Sequence, residues 1–148
     1  MGVVVSCYLR FAAYNALFVV VFRVFCLAPD SAVSLLLPAL IGIGRASEYC
    51  FTNTPISAEH ALAMGLANRI VPATELAQQS FQLAASLAQG PVGAMGLSKR
   101  AFNKAVLNNL EQTLDYEAYL QDIASRGEEH KEGVRAFLEK RPPHFAQL

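Results

Sequence analysis

The first forty residues carry two β-branched and aromatic runs of strand length, "VVVSCYL" and "FVVVF", on either side of "RFAAYNA". The runs predict two strands buried on both faces, because their apolarity is continuous rather than alternating. Asn15 in the intervening segment supplies turn chemistry. Next, "SAVSLLLPAL" predicts a short helix that starts at Asp30 or Ser31 and is ended or kinked by Pro38. "GRASEYCFTN" continues helically from Gly44 into a polar turn at residues 52–55.

Beyond residue 56 the pattern becomes helical. "SAEHALAMG" predicts a compact helix with Ser57 as N-cap, Glu59 in its first turn and Gly65 past its end. "LANRIV" follows as a short strand. "ATELAQQSFQLAASLAQG" places Leu76, Ser80, Leu83 and Leu87 near helical spacing, and Gly90–Pro91 stops it. Two further helical patterns cover 93–109 and 110–126, with Leu110, Leu114, Leu120 and Ile123 on the apolar stripe of the second. The last, "EEHKEGVRAFLEKRPPHF", is a charged helix closed by Pro142–Pro143. No internal repeat interrupts this order. The chain divides into an α/β front, residues 1–72, and a helical tail, residues 73–148.

Composition narrows the function classes. One core fits in 148 residues, and two ordinary domains do not. Twelve basic and twelve acidic side chains balance, so no net charge recruits nucleic acid or an acidic membrane. Only 16 % of residues are charged and mean hydropathy is +0.30, an apolar balance that implies a missing partner: another subunit, the rest of a domain or a lipid phase. "FAAYNALFVVVF" between Arg10 and Arg23 is shorter than the roughly 20 residues of a spanning helix. It also lacks the basic segment that opens a signal peptide. Cys7, Cys26 and Cys50 have no metal-ligand spacing and read as reduced, buried thiols in a cytoplasmic setting. His60, His130 and His144 lie apart on polar segments, so no metal site is expected. Lys99 and Lys104 read as a solvated face.

Asp30 is the first acidic residue in the chain and stands between two apolar runs. It reads either as a helix cap, worth about 1 kcal/mol, or as a reactive carboxylate beside an apolar pocket, which would make it a stronger base.

Four stretches in series carry a family resemblance. "SCYLRFAAYNALF" resembles "CDLRIAAENARF"; "FCLAPDS" resembles "IGLVPDSG"; "PISAEHALAMGLANRIVP" resembles "ISAEEALAMGLVNRVVP"; and "VRAFLEKRPPHF" resembles "VxAFLEKRxPxF". Together they resemble the second half of the crotonase (enoyl-CoA hydratase/isomerase) superfamily over residues 6–145. The resemblance implies an α/β fold: the last turns of a ββα spiral, then a helical region that packs on a neighbouring subunit in a trimer or dimer of trimers. It implies an acyl-CoA thioester as substrate, with coenzyme A as part of that substrate and no prosthetic group. The half of such a domain that supplies most coenzyme A contacts and both oxyanion-hole N–H donors is expected to be absent.

Asp30 matches the "PD" position that moves a proton beside a thioester carbonyl in the phenylacetyl-CoA-epoxide isomerase branch and is the nucleophile in chlorobenzoyl-CoA dehalogenases. The hydratase carboxylates would fall near Gly2 and at Phe22, where no acid stands, which disfavours water addition. Phe137 and Lys140 match tail residues that reach coenzyme A in a neighbouring subunit, the ring on adenine and the ammonium on a phosphate; an ordinary buried Phe and solvated Lys is the equal alternative. The departures cluster near the pocket. Cys26, Ala32 and Val33 stand where the family has glycines, Val33 is expected to resist a positive φ, and Tyr8 replaces an acid. Three functions stay open: an isomerase-type enzyme, weakly active or inactive alone; a non-enzymatic remnant or assembly module; and a small membrane protein built on residues 3–42.

Overall fold

The computed structural model describes residues 1–145. The front half is a mixed α/β layer. After a short helix α1 (Gly2–Ser6), strand β1 (Phe11–Ala13) pairs in parallel with β4 (Arg69–Val71), Phe11 opposite Arg69 and Ala13 opposite Val71. Strand β2 (Leu17–Phe18) pairs antiparallel with β3 (Ile56–Ser57). A 3₁₀ turn (Val21–Phe25), α2 (Val33–Ile41) and α3 (Ile43–Thr52) lie between β2 and β3, and α4 (Ala58–Ala63) lies between β3 and β4. The tail is α5 (Leu76–Ala88), α6 (Val92–Val106), α7 (Leu110–Arg126) and α8 (Glu128–Leu138).

The two expected N-terminal strands are corrected. "VVVSCYL" is not a strand: Val4 and Val5 donate their amides to the Met1 carbonyl at 2.9 and 3.1 Å, forming the single helical turn of α1. That turn buries Val5 against the core and leaves Val3 81 % exposed, so one valine in three is anchored. Of "FVVVF" only Phe18 lies in a strand, and Val21 begins the 3₁₀ turn. The ladder forms instead on "FAA", in the segment assigned to a connection. β-propensity describes fit to a half-buried pleated surface, and only residues 11–13 find a partner strand in β4. The turn at Asn15 is observed, closed by Ala16 N–H to the Ala13 carbonyl at 2.9 Å.

The core gathers Val5, Val20, Leu37, Ile41, Ile56, Ala61 and Leu66 from both halves of the α/β front. Arg10 threads through it. Its guanidinium donates to the carbonyls of Leu66 (2.6 Å), Gly65 (3.3 Å) and Cys7, and its own backbone is bonded to Asn68 in both directions. Burial lowers the pKa of this guanidinium from its ordinary value. Helix α2 runs through Pro38 and ends at Gly42, whose φ of 83° suits glycine. Ser57 caps α4 as expected, accepting the His60 amide at 3.3 Å.

The tail is less buried than its periodicity implies. Neither α5 nor α6 has a buried residue. On α7, Leu114 and Ile123 are exposed and Leu120 is half-buried, contrary to the expected apolar contacts; its one buried residue is Glu117. The cysteines also differ from expectation: Cys7 is exposed, Cys26 and Cys50 are half-buried, and all three are free thiols.

Candidate functional site

Asp30 ends the apolar run from the 3₁₀ turn and stands exposed at the entrance to α2. It does not cap that helix with its side chain. The N-cap position is Ala32, with no side-chain cap of its own. Asp30 lends only its carbonyl, which accepts the Val33 amide at 3.0 Å. Its carboxylate takes two other hydrogen bonds, from Ser31 Oγ at 2.9 Å and from Gln121 Nε2 at 3.2 Å. The cap reading of the carboxylate is therefore wrong. A left-handed turn has moved the helix start two residues downstream.

Val33 avoids a positive φ, as expected of its branched side chain. The positive φ values fall on Cys26 (52°), Ser31 (55°) and Ala32 (60°), while Val33 enters the helix normally. Two successive non-glycine residues in the left-handed region are unfavourable, at about 1–2 kcal/mol each. Gly2 lies against this turn so closely that a Cβ there would fall 2.5 Å from the Ser31 Cβ.

Beside the turn, Ser31 and Ala32 line an open cleft of about 530 Å³ between α1, α2 and the α6–α7 corner. Its walls are chiefly apolar: Val5, Leu36, Leu40, Phe102, Leu107 and Leu114. Asn103 adds an Oδ1 that is buried without a hydrogen-bond partner among the described residues. A cleft of this size and lining suits a small apolar group with few polar fixtures. Tyr8, also on its wall, carries the Lys99 ammonium 5.1 Å from its ring centroid, so Lys99, exposed like Lys104 as expected, also makes a cation–π contact.

Phe137 and Lys140 occur together, apart from that cleft. With Arg23, Val24 and Arg141 they line a second cavity of about 620 Å³. Phe137 is exposed and meets Phe25 edge-on, with centroids 5.2 Å apart. Arg141 is already committed: it grips Glu132 through two bonds of 2.6 and 3.0 Å and Glu139 through a third. This pairing, with the His144 amide, holds the Glu132 carboxyl down to about 2. Arg23 and Lys140 make no ion pair among the described residues and are the cations of this cavity able to meet an anion. His130 bonds the Phe25 carbonyl through Nδ1 at 2.6 Å, fixing α8 to the 3₁₀ turn. No group of three or more His, Cys, Asp or Glu side chains among the described residues could hold a metal.

Two residues absent from the expected site sit at its centre. Glu117 accepts the amides of Ala32 (2.8 Å) and Ser34 (3.0 Å) and the Ser34 hydroxyl. One turn later, Gln121 donates to the Ala28 carbonyl at 2.7 Å as well as to Asp30. A signal was present in the sequence: Leu110, Leu114, Glu117 and Gln121 share one helical stripe with spacings of four, three and four.

The chain also resembles known proteins. The family model for enoyl-CoA hydratase/isomerase matches residues 1–148. A 1,2-epoxyphenylacetyl-CoA isomerase of Escherichia coli is 40 % identical over 134 residues, covering 90 % of this chain and 51 % of the relative. A probable enoyl-CoA hydratase of Rhodobacter capsulatus is 39 % identical over 134 residues, covering 90 % and 52 %. The crystal structure of an enoyl-CoA hydratase/isomerase from Pseudoalteromonas atlantica superposes with a TM-score of 0.92 at 28 % identity, over 97 % of this chain and 58 % of that one. The chain thus spans about half the length of the curated relatives it matches. With a partial spiral, a helical tail and a match that runs from end to end, this chain belongs to the enoyl-CoA hydratase/isomerase family.

Proposed function

We propose that the chain acts on acyl-CoA thioesters by isomerase-type chemistry, with Asp30 as the base, the apolar cleft as acyl site, and Phe137 and Lys140 as coenzyme A contacts. The observation that carries this reading is the placement of Asp30: an exposed carboxylate on a turn whose next two residues line the cleft. In the proposed step Asp30 takes a proton from the carbon beside the thioester carbonyl. The C–H electron pair moves into the conjugated system, and the proton returns at another carbon, so substrate and product have the same atoms. A base of this kind contributes about 10² to 10⁴-fold. Each oxyanion donor adds about 10² to 10³, and the family resemblance assigns those donors to the other half of such a domain. Turnover by the 148-residue chain alone is therefore expected to be weak. Coenzyme A enters as part of the substrate, with no prosthetic group.

A second reading, a non-enzymatic assembly module, is favoured by the exposed Phe81, Leu97, Phe102, Tyr116, Tyr119 and Ile123 of α5 to α7. Such apolar surface suits a homo-oligomer, a trimer in our reading. The membrane alternative has less support, since no helix among the described residues is long and apolar enough to cross a bilayer. Free thiols accord with a cytoplasmic setting.

The test is deuterium uptake from D₂O into cis-3-enoyl-CoA, followed by mass spectrometry with wild type and Asp30→Asn. Uptake by wild type that falls about 10²-fold or more in the variant supports the base. Equal uptake by both removes Asp30 from the chemistry. Retention on coenzyme A resin that depends on Phe137 and Lys140, without any uptake, would favour the binding module.

A further inference from the structure

The Pro29–Ser34 segment is a constrained turn beside the cleft, and distant side chains rather than its own residues hold its shape. Ser31 and Ala32 both adopt φ values near 55–60° without being glycine. What holds them is α7. The Glu117 carboxylate, 3 % exposed, receives two amides and a hydroxyl from one side of the turn. The Gln121 amide group bridges the Ala28 carbonyl and the Asp30 carboxylate on the other side. Eighty-five residues separate Glu117 from Ala32 in sequence, so this is tertiary restraint rather than local capping.

We infer that Glu117 and Gln121 are positioning residues for Asp30: Glu117 holds the left-handed turn and Gln121 orients the carboxylate at its tip. This rests on the reading of Asp30 as the proton-moving group. A buried carboxylate facing the free amides of a nine-residue helix is favourable on both charge and hydrogen-bonding grounds. It fulfils the role that Asp30 would have had as a cap, which leaves the Asp30 carboxylate free to face outward. Gln121 suits its role because one amide NH₂ supplies two donors, one for a fixed carbonyl and one for the reactive oxygen. The same helix lines the cleft through Leu110 and Leu114, so any shift of α7 moves the cleft wall and the carboxylate together.

The clamp can be read by NMR on the full chain labelled with ¹⁵N, with wild type, Glu117→Gln, Gln121→Leu and Asp30→Asn. In Glu117→Gln, amide exchange at Ala32 and Ser34 should rise about tenfold or more, as expected for losing charged acceptors, while the amide of Met64, the residue that closes α4 by bonding the His60 carbonyl, is unchanged. In Asp30→Asn, the Gln121 side-chain NH₂ resonance should shift. With cis-3-enoyl-CoA at saturation, Gln121→Leu should lower the deuterium-uptake rate about tenfold and leave the half-saturating concentration within about twofold, the pattern for an interaction that acts on the chemical step.

Exchange rising equally at Met64 would mean Glu117 is only a general stabiliser and would overturn the proposal. So would an unmoved Gln121 resonance, or full uptake by Gln121→Leu where wild type is active. Should wild type show no uptake at all, the reading of Asp30 as a base fails, while the amide and resonance data still decide whether the clamp exists.

Discussion

Replacing Arg10 tests the tie between the front elements of the fold. Its guanidinium is 8 % exposed with its residue and has only carbonyl partners, at the end of α1 and in the turn after α4. In Arg10→Met the stem can still fill its channel, but the carbonyls of Cys7, Gly65 and Leu66 lose their donors. A buried unsatisfied carbonyl costs about 1–3 kcal/mol. Leu66 is fully buried and should incur most of that, whereas Cys7 is exposed and its carbonyl can rehydrate. Removing the desolvated cation returns part of the loss. The expected net cost is about 3 kcal/mol, which for a chain of this size lowers Tm by roughly 6–12 °C. Urea unfolding followed by far-UV circular dichroism measures it, with m unchanged if the denatured state is unaffected. Arg10→Lys is the control: a point charge can serve one carbonyl but not a three-way fork, so more than half of the loss should remain. A cost below about 1 kcal/mol for Arg10→Met, or full recovery in Arg10→Lys, would refute the argument, since positive charge rather than fork geometry would then be what matters.

Two further outcomes follow from the α8 region. The Glu132 carboxyl is held near 2, below its ordinary 4.5, chiefly by Arg141 and then by the His144 amide. Its folded pKa is depressed, so the stabilisation is complete above about 4.5 and is lost as pH falls towards 2. The stability gap between wild type and Glu132→Gln should therefore shrink between pH 6 and 3 in urea titrations; a constant gap would rule out the ion pair as its source. Gly133→Ala should destabilise despite a helix-propensity gain of about 1 kcal/mol, because the new Cβ would lie 3.0 Å from Cys26 Sγ and 3.2 Å from the Val24 carbonyl. A raised Tm in that variant would show that α8 can move away from the 3₁₀ turn at little cost.

Local chemistry along the chain determined the elements whose signals are short-range. Ser57 as a cap, the Asn15 turn and the long helix over 110–126 need only neighbouring residues to specify them, and they stand as read. The four motifs in series likewise carried the family, because motif order survives without knowledge of contacts. Tertiary structure decided the rest. Whether "VVVSCYL" or "FAA" became a strand depended on where β4 lay, and a strand without a partner has no ladder. The fate of the α7 stripe depended on α2: a helix end with unsatisfied amides drew Glu117 inward, while Leu114 and Ile123 stayed exposed. Asp30 was legible as an isolated acid in an apolar setting. Its release from capping was not, because the residue that replaced it lies far along the chain and reaches the turn only when α7 packs against α2.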